Sequence, residues 1–315
     1  MIILEKISNE YEKVLLVESI YSISLFLHIN KNISKDTLFI VGNNIYFHEI
    51  FSKIENYIIY DNHHKISKLN KLLINIGIIP KKYLKIYKSL KGKIIFGHDH
   101  LNLSVLIMKK KYNIIEDGIK NYIIEKDKSS IFGRSSYNLM GYNKFSNKIY
   151  LTSLMEIKED TPYKNKISII NRDDFLRDSS KQFGGIFSEK VPNNCIILIT
   201  QPFSEDGILS ENEKINLYES ILNKLKLQSK NIVIKPHPRE TTNYSIYFKD
   251  TKILPSYKMM ENITGNIDLM VTIFSSCAFN LKYNSNVKVL YLGTSINNKL
   301  KKKFGNIEGF ISFND

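Results

Sequence analysis

Short apolar runs closed by charged or turn-forming residues recur along this chain and set out its elements. Val14-Leu15-Leu16-Val17 reads as a buried strand closed by Glu18-Ser19, and Ile20 to Ile29 follows with helical character. Leu38-Phe39-Ile40-Val41 ahead of Gly42-Asn43-Asn44, then Tyr57-Ile58-Ile59-Tyr60, then Ile94-Ile95-Phe96-Gly97 repeat the strand-and-turn pattern. Between the last two lies a lysine-rich, helix-like stretch from Lys65 to Leu90. Tyr112-Asn113-Ile114-Ile115 then runs into Glu116-Asp117-Gly118. From about Tyr122 to Glu189 the pattern loosens around Ser129-Ser130, Ser135-Ser136, Asp173-Asp174 and Gly184-Gly185, and the segment reads as loops and a connection. Regular patterning returns with Cys195-Ile196-Ile197-Leu198-Ile199-Thr200, which ends at Gln201-Pro202. Ser210 with Glu213 forms a capping box for a helix that carries Tyr218, Ile221, Leu222 and Leu225 on one face. Asn231-Ile232-Val233-Ile234 is a strand ending in Lys235-Pro236-His237-Pro238. A helix-like Tyr257 to Ile263 precedes the strand Asp268 to Phe274, which ends in Ser275-Ser276. A helix-like Cys277 to Tyr283 and a last core strand, Val287 to Tyr291, follow.

Strands alternating with helices predict parallel sheets with right-handed crossovers. A chain of 315 residues suits two such α/β lobes better than one core. The expected organisation is a Rossmann-like N-terminal lobe over 1–155, a connection over 156–190 and a Rossmann-like C-terminal lobe over 191–315. In sheets of this kind ligands bind beyond the carboxyl ends of the strands. Glu116-Asp117-Gly118 occupies such an end in the first half, and His237-Pro238 and Ser275-Ser276 occupy two in the second. A cleft between facing lobes would gather them.

Composition narrows the function classes. At 43% hydrophobic and 24% charged residues the chain is an ordinary globular one. No stretch approaches the roughly 18–20 apolar residues of a membrane span, and Met1 to Asn9 does not read as a secretory signal. Cys195 and Cys277 lie far apart, which argues for reduced thiols and a cytoplasmic setting. The net charge of +14 invites a nucleic-acid reading. Lysine, isoleucine and asparagine are abundant together, however, and lysine outweighs the arginine that base and phosphate readout favours. With no zinc-finger spacing and no aromatic RNA-binding signature, nucleic acid is not expected as a partner. Basic clusters at Lys109-Lys110-Lys111, from Lys81-Lys82 to Lys93, and from Lys299 to Lys303 are solvated surface or a peripheral seat against anionic lipid.

Three motifs carry chemistry. Glu116-Asp117-Gly118 puts two carboxylates after a buried strand, with side chains that point opposite ways, so one alone can face a cleft as general base. By itself it reads as a plain Asp-Gly turn or a helix N-cap. In Lys235-Pro236-His237-Pro238-Arg239, the following proline keeps His237 extended, and an imidazole so fixed can serve a departing phosphate. A rigid surface turn is the competing reading. Ser275-Ser276, between a strand and a helix start, offers hydroxyls and free N–H groups to a phosphate, or simply caps the helix. Glu261 could accept from two ribose hydroxyls. Gln201-Pro202-Phe203-Ser204-Glu205-Asp206-Gly207 should rim the same cleft. Gly97-His98-Asp99-His100 and His63-His64 lack the pattern of a zinc site, and His98 to His100 read as a polar cleft-lining loop; no metal is expected. There is no Gly-x-Gly-x-x-Gly and no P-loop.

Taken together, these residues resemble the bacterial lipooligosaccharide sialyltransferases of glycosyltransferase family 52, to which capsule polysialyltransferases are related. That family carries an acidic pair plus Gly, a His-Pro and a paired Ser/Thr in this order. Val17-Glu18-Ser19 with Tyr21-Ser22 resembles its opening strand and loop, with Ile20 where a proline is common. Thr200-Gln201-Pro202 with Ser204 to Gly207, and Ile234 to Glu240, are similar to its nucleotide-domain signatures. The resemblance implies a two-lobed glycosyltransferase-B fold and an inverting, metal-independent transfer of sialic acid from CMP-sialic acid to a galactose hydroxyl of a surface glycan. By matching motifs, it implies that Glu116 or Asp117 is the base, with the family's usage favouring Glu116. His237 would serve the CMP phosphate, Ser275 and Ser276 would bind it, and Glu261 would bind the ribose. Gly118, Gln201, Pro202, Ser204, Lys235 and Pro238 complete the expected site. A homodimer is open by analogy. The alternative is a transferase of the same fold using another CMP-nonulosonate or a nucleotide-glucose donor.

Overall fold

A computed structural model describes residues 11–31, 36–42, 56–60, 66–108, 111–118, 121–122, 140–227, 231–275, 277 and 287–312. The chain divides into two compact units, 1–175 and 176–315. In the first, β1 (Lys13–Val17), β2 (Thr37–Gly42), β3 (Tyr57–Tyr60), β4 (Ile94–Gly97), β5 (Tyr112–Ile115), β6 (Ser146–Leu151) and β7 (Ile167–Ile169) form one sheet. Its order is β3-β2-β1-β4-β5-β6-β7, and every neighbouring pair is parallel. Leu38 to Val41, all apolar, is buried throughout, as a parallel strand covered on both faces must be. Helix α1 (Ile20–Asn30) is capped by Ser19, whose hydroxyl accepts from the Ser22 N–H. The lysine-rich stretch resolves into α2 (Lys68–Asn75), a 3₁₀ turn and α3 (Leu84–Ser89). Gly77, at φ 95°, and Pro80 separate them. A short α4 (Ser104–Ile107) follows.

The loosely patterned region holds more order than its sequence shows. Both β6 and β7 lie there and extend the first sheet, and α5 (Arg172–Phe187) is a helix of 16 residues. The reading of this region as loops and a connection is therefore corrected at 146–151, 167–169 and 172–187. β6 opens on Ser146-Asn147-Lys148, β7 has three residues, and α5 contains Gly184-Gly185, so the apolar period is diluted in all three. The division between units falls inside α5.

The second unit begins with β8 (Glu189–Lys190), β9 (Cys195–Ile199) and α6 (Glu211–Lys226). The Ser210–Glu213 capping box of α6 is formed in both directions. β10 (Ile232–Lys235), α7 (Tyr244–Tyr247), β11 (Lys252–Ile253), β12 (Ile263–Thr264), β13 (Ile267–Thr272), β14 (Lys288–Tyr291), α8 (Asn298–Phe304) and β15 (Phe310–Ser312) follow. The main sheet runs β11-β10-β9-β13-β14-β15, antiparallel at β15 alone, and β8 pairs with β12 in a small second sheet. Tyr257 to Ile263 is a 3₁₀ turn over Met260–Asn262 that leads into β12, shorter than the helical reading. Both cysteines are free.

Each main sheet reverses its order once, between β1 and β4 in the first unit and between β9 and β13 in the second. At such a reversal the loops diverge to opposite faces, and a crevice opens at the carboxyl ends of the strands. Gly97 is needed at the first one. It pairs with Leu16 at φ 138°, and a Cβ there would run into the Leu16 carbonyl.

Candidate functional site

In the first unit β1 ends in Glu18-Ser19, β4 in His98-Asp99-His100 and β5 in Glu116-Asp117. The two acidic neighbours have opposite surroundings. Glu116 is fully buried. Its Oε1 accepts from the Tyr21 hydroxyl at 3.0 Å and the Thr152 hydroxyl at 3.1 Å, and its Oε2 from the Thr152 N–H at 2.5 Å and the Tyr122 hydroxyl at 2.8 Å. Burial raises the pKa of this carboxyl, and the donors oppose that rise. Its carbonyl accepts from Ser22 Oγ at 2.7 Å. Glu116 thus ties the opening helix, β5 and the residue after β6 together.

Asp117 has 26% of its side chain exposed. Its N–H donates to Asn121 Oδ1 at 2.8 Å, and Gly118 turns the chain at φ 132°. Two imidazoles flank the carboxylate. His98 Nε2 lies 3.7 Å from Oδ1 and His100 Nε2 lies 3.5 Å from Oδ2, with the two rings stacked at 5.3 Å. Burial pushes His98 down to about 3, so it is neutral. Its tautomer follows from its partner. Ser22 spends its hydroxyl proton on the Glu116 carbonyl, so His98 Nε2, 2.8 Å from Ser22 Oγ, is the donor between them. Asp99, between the two histidines, turns the other way and accepts from the Met140 and Gly141 N–H groups at 2.5 and 2.9 Å.

Donor atoms of His98, His100 and Asp117 lie within 4.8 Å of one another, a spacing open to a metal ion. The proton on His98 Nε2 sits where a metal would need a lone pair. His63 and His64 lie outside the described residues.

In the second unit the His237 turn is held from several sides. Glu240 Oε2 accepts from the His237 N–H at 2.6 Å and the Thr200 hydroxyl at 2.5 Å, and Oε1 accepts from the Tyr244 hydroxyl at 2.6 Å. Arg239 forms a bidentate pair with Asp206 at 2.6 and 3.2 Å, the geometry that suits a guanidinium. His237 Nδ1 accepts from the Arg239 N–H at 3.1 Å, so the neutral ring carries its proton on Nε2. Burial pushes this imidazole down to about 3, and the charges of Arg239 and Lys235 push the same way.

Lys235 is buried, and its Nζ donates to the carbonyls of Pro236 at 2.6 Å and Ser256 at 2.9 Å. It braces the turn from beneath. Burial lowers it to about 8, while the charges of Cys277, Glu240 and Glu261 hold it up. Gln201, at the end of β9, accepts from the Phe274 N–H through Oε1 at 3.1 Å, and its N–H donates to the Tyr218 hydroxyl at 2.7 Å. It therefore clips β9 to the end of β13, where the Ser275 Oγ lies 3.0 Å from Cys277 Sγ. Ser276 and the stretch 278–283 lie outside the described residues. Pro202 is buried. Ser204 Oγ donates to Glu211 Oε2 at 2.6 Å and so belongs to the support of the loop. Glu261 is half-buried on its 3₁₀ turn. Beside it the buried Asn262 amide has no hydrogen-bond partner among the described residues.

Several supporting residues were not legible in sequence. Lys214 is fully buried on α6, and its Nζ meets Glu205 at 3.0 Å, Glu211 at 3.4 Å, Glu240 at 3.7 Å and the Thr242 hydroxyl. A lysine at a polar-looking helix position carries no sign of this. Thr152 and Tyr122 around Glu116 fall in the loosely patterned region. Tyr21 and Ser22 had a signal, since they belong to the opening motif.

Residues 39–296 match the model of glycosyltransferase family 52. An uncharacterized protein of Haemophilus influenzae is 36% identical over 262 residues, covering 77% of this chain and 81% of that protein. Among solved structures, the wall teichoic acid polymerase TagF is similar at 12% identity with a TM-score of 0.46 over 96% of this chain and 74% of that one (H548A form). A second TagF structure (H444N, soaked with CDPG) gives 12% identity and a TM-score of 0.43 over 88% of this chain and 68% of that one. At that level of likeness the fold assignment rests on the two sheets themselves.

Proposed function

The chain belongs to glycosyltransferase family 52, and on that premise we propose that it is an inverting sialyltransferase, moving sialic acid from CMP-sialic acid to a galactose hydroxyl of a bacterial surface glycan without a metal. Asp117 is the general base. The observation that carries this role is the contrast between the two acidic neighbours: Glu116 is sealed among four donor groups, and Asp117 keeps a partly exposed carboxylate between two imidazoles. The acceptor hydroxyl attacks the anomeric carbon and gives its proton to Asp117. The bond from that carbon to the CMP phosphate oxygen breaks, and its electron pair leaves with the phosphate. Attack opposite the leaving group inverts the anomeric centre.

The second unit takes the developing phosphate charge. His237 Nε2–H serves as a hydrogen-bond donor in its neutral form, and Ser275 and Ser276 add hydroxyls at the end of β13. Preorganised donors of this kind supply much of the catalysis in charge-separating transfers. Lys235 contributes charge and holds the turn, and Glu261 takes the ribose hydroxyls. Two free thiols fit a reducing compartment, and we place the enzyme in the cytoplasm.

The test is incubation with CMP-sialic acid and lactose in excess chelator, following CMP release and product mass. Sialyl-lactose is expected, with CMP inhibiting and UDP not. His237→Ala should lower kcat at least about tenfold with the fold intact, because it removes a donor aimed at the phosphate. Inhibition by UDP in place of CMP would overturn the donor assignment, and near-normal turnover of the variant would overturn the role of His237.

A further inference from the structure

Along α2, α3 and the turn joining them, exposed apolar side chains alternate with lysines. On α2, Ile74 is fully buried against the core of the first unit. Leu69, Leu72 and Ile76 fall at i, i+3 and i+7, one stripe of a helix, on the side opposite Ile74, and they are 65%, 40% and 57% exposed. The helix therefore has two apolar faces, and the core needs only one. α3 repeats the arrangement, with Ile86 buried and Leu84 and Tyr87 at 38% and 41% exposed. The turn between the helices presents Ile78 at 54%, where polar turn residues are the rule. Exposed apolar residues scattered singly need no explanation, but a contiguous group does.

Charge identifies the occupant. Between Ile66 and Ile94 the chain carries eight lysines and no aspartate or glutamate. A second copy of this chain would bring the same positive charge to the contact. An anionic bilayer supplies both complements, with headgroups for the lysines and an acyl boundary for the leucines and isoleucines.

We propose that the α2–α3 face is a membrane-docking surface that seats the protein on anionic lipid. The lysines draw it to the surface, and the Leu69-Leu72-Ile76 stripe with Ile78 enters the headgroup boundary. Attraction of this type is salt-sensitive through the lysines, while the apolar insertion is not. The inference does not depend on the donor: a chain that bound vesicles but transferred no sugar would leave it standing.

The test is co-sedimentation of the full chain with phosphatidylglycerol-containing vesicles and with pure phosphatidylcholine vesicles, at 0.1 and 0.5 M salt. Binding to the anionic vesicles, at least tenfold stronger than to phosphatidylcholine and weakened by salt, is expected. Leu72→Ser/Ile76→Ser and, separately, Lys82→Glu/Lys85→Glu should each weaken it at least tenfold. All four positions are exposed or at a helix end, so these variants should melt as the parent does. Lys301→Glu/Lys302→Glu on α8 changes the same charge elsewhere and should bind within about twofold of the Lys82/Lys85 parent. Absence of binding to anionic vesicles would overturn the proposal. So would equal loss in the α8 variant, or a self-association in lipid-free sedimentation that the Leu72/Ile76 variant abolishes.

Discussion

Glu116 and Asp117 show how much one position along a strand decides. The alternation of side chains is legible in sequence and says that the two carboxylates face opposite ways. Which of them faces inward depends on Tyr21, Tyr122 and Thr152, scattered over more than a hundred residues, and no local pattern joins them. The usage of the resembling family favours Glu116, whereas the geometry favours Asp117 as the group a substrate can reach. Replacing Glu116 by Ala orphans several buried donors, each worth about 1–3 kcal/mol when left unsatisfied. The expected outcome is a loss of at least about 2 kcal/mol in denaturant unfolding; an unchanged midpoint would show that the buried network is not holding the loops. His237 was legible for a different reason. Its flanking prolines fix the backbone, and the structure adds the parts a motif cannot show: the Glu240 anchor on its N–H and the Arg239 N–H that decides which ring nitrogen carries the proton.

Among the elements, those buried on both faces announced themselves. β1, β2, β9 and β10 have interiors of Val, Ile and Leu, with Phe39 in β2 and polar residues only at strand ends, and the helix after Ser210 carries a complete capping box. β6, β7 and α5 did not: β7 is a short edge strand that needs few apolar residues, β6 beside it opens on three polar residues, and a helix can absorb two glycines when packing supports it. Phe175, fully buried and edge-on to Tyr21 at 5.3 Å, supplies such packing at the start of α5. Gly97 is the element-scale position most exposed to test. A side chain there meets the Leu16 carbonyl and a φ of 138°, so β4 cannot keep its pairing with β1. Gly97→Ala should destabilise the protein by at least about 2 kcal/mol, seen as a lowered melting temperature. A variant that melts with the parent would mean that β1 and β4 separate more easily than their register suggests.

For the whole molecule, the alternation of strands and helices was enough to read two α/β units, and the order of strands within each sheet then explains why the motifs stand where they do. The pH dependence of stability belongs to this scale. His98 and His237 are both pushed down to about 3 by burial, while an unfolded histidine titrates near about 6.5. Between those values the unfolded chain binds more protons than the folded one, so their contribution is fully present above about 6.5 and is lost as pH falls. The drop in melting temperature from pH 7 to pH 5 should be smaller in His237→Gln than in the parent; equal drops would contradict the burial of that imidazole. The central claim, that Asp117 and not Glu116 takes the acceptor proton, is tested most directly by sialyl transfer to lactose in chelator by Asp117→Asn and Glu116→Gln, each checked for CMP-dependent thermal stabilisation. Loss of a positioned base removes about 10²–10⁴-fold. We expect Asp117→Asn to fall by at least about 100-fold in kcat while CMP still stabilises it, and Glu116→Gln to retain most of its turnover per folded molecule. Near-normal transfer by Asp117→Asn, or a collapse of kcat confined to a well-folded Glu116→Gln, would contradict the account.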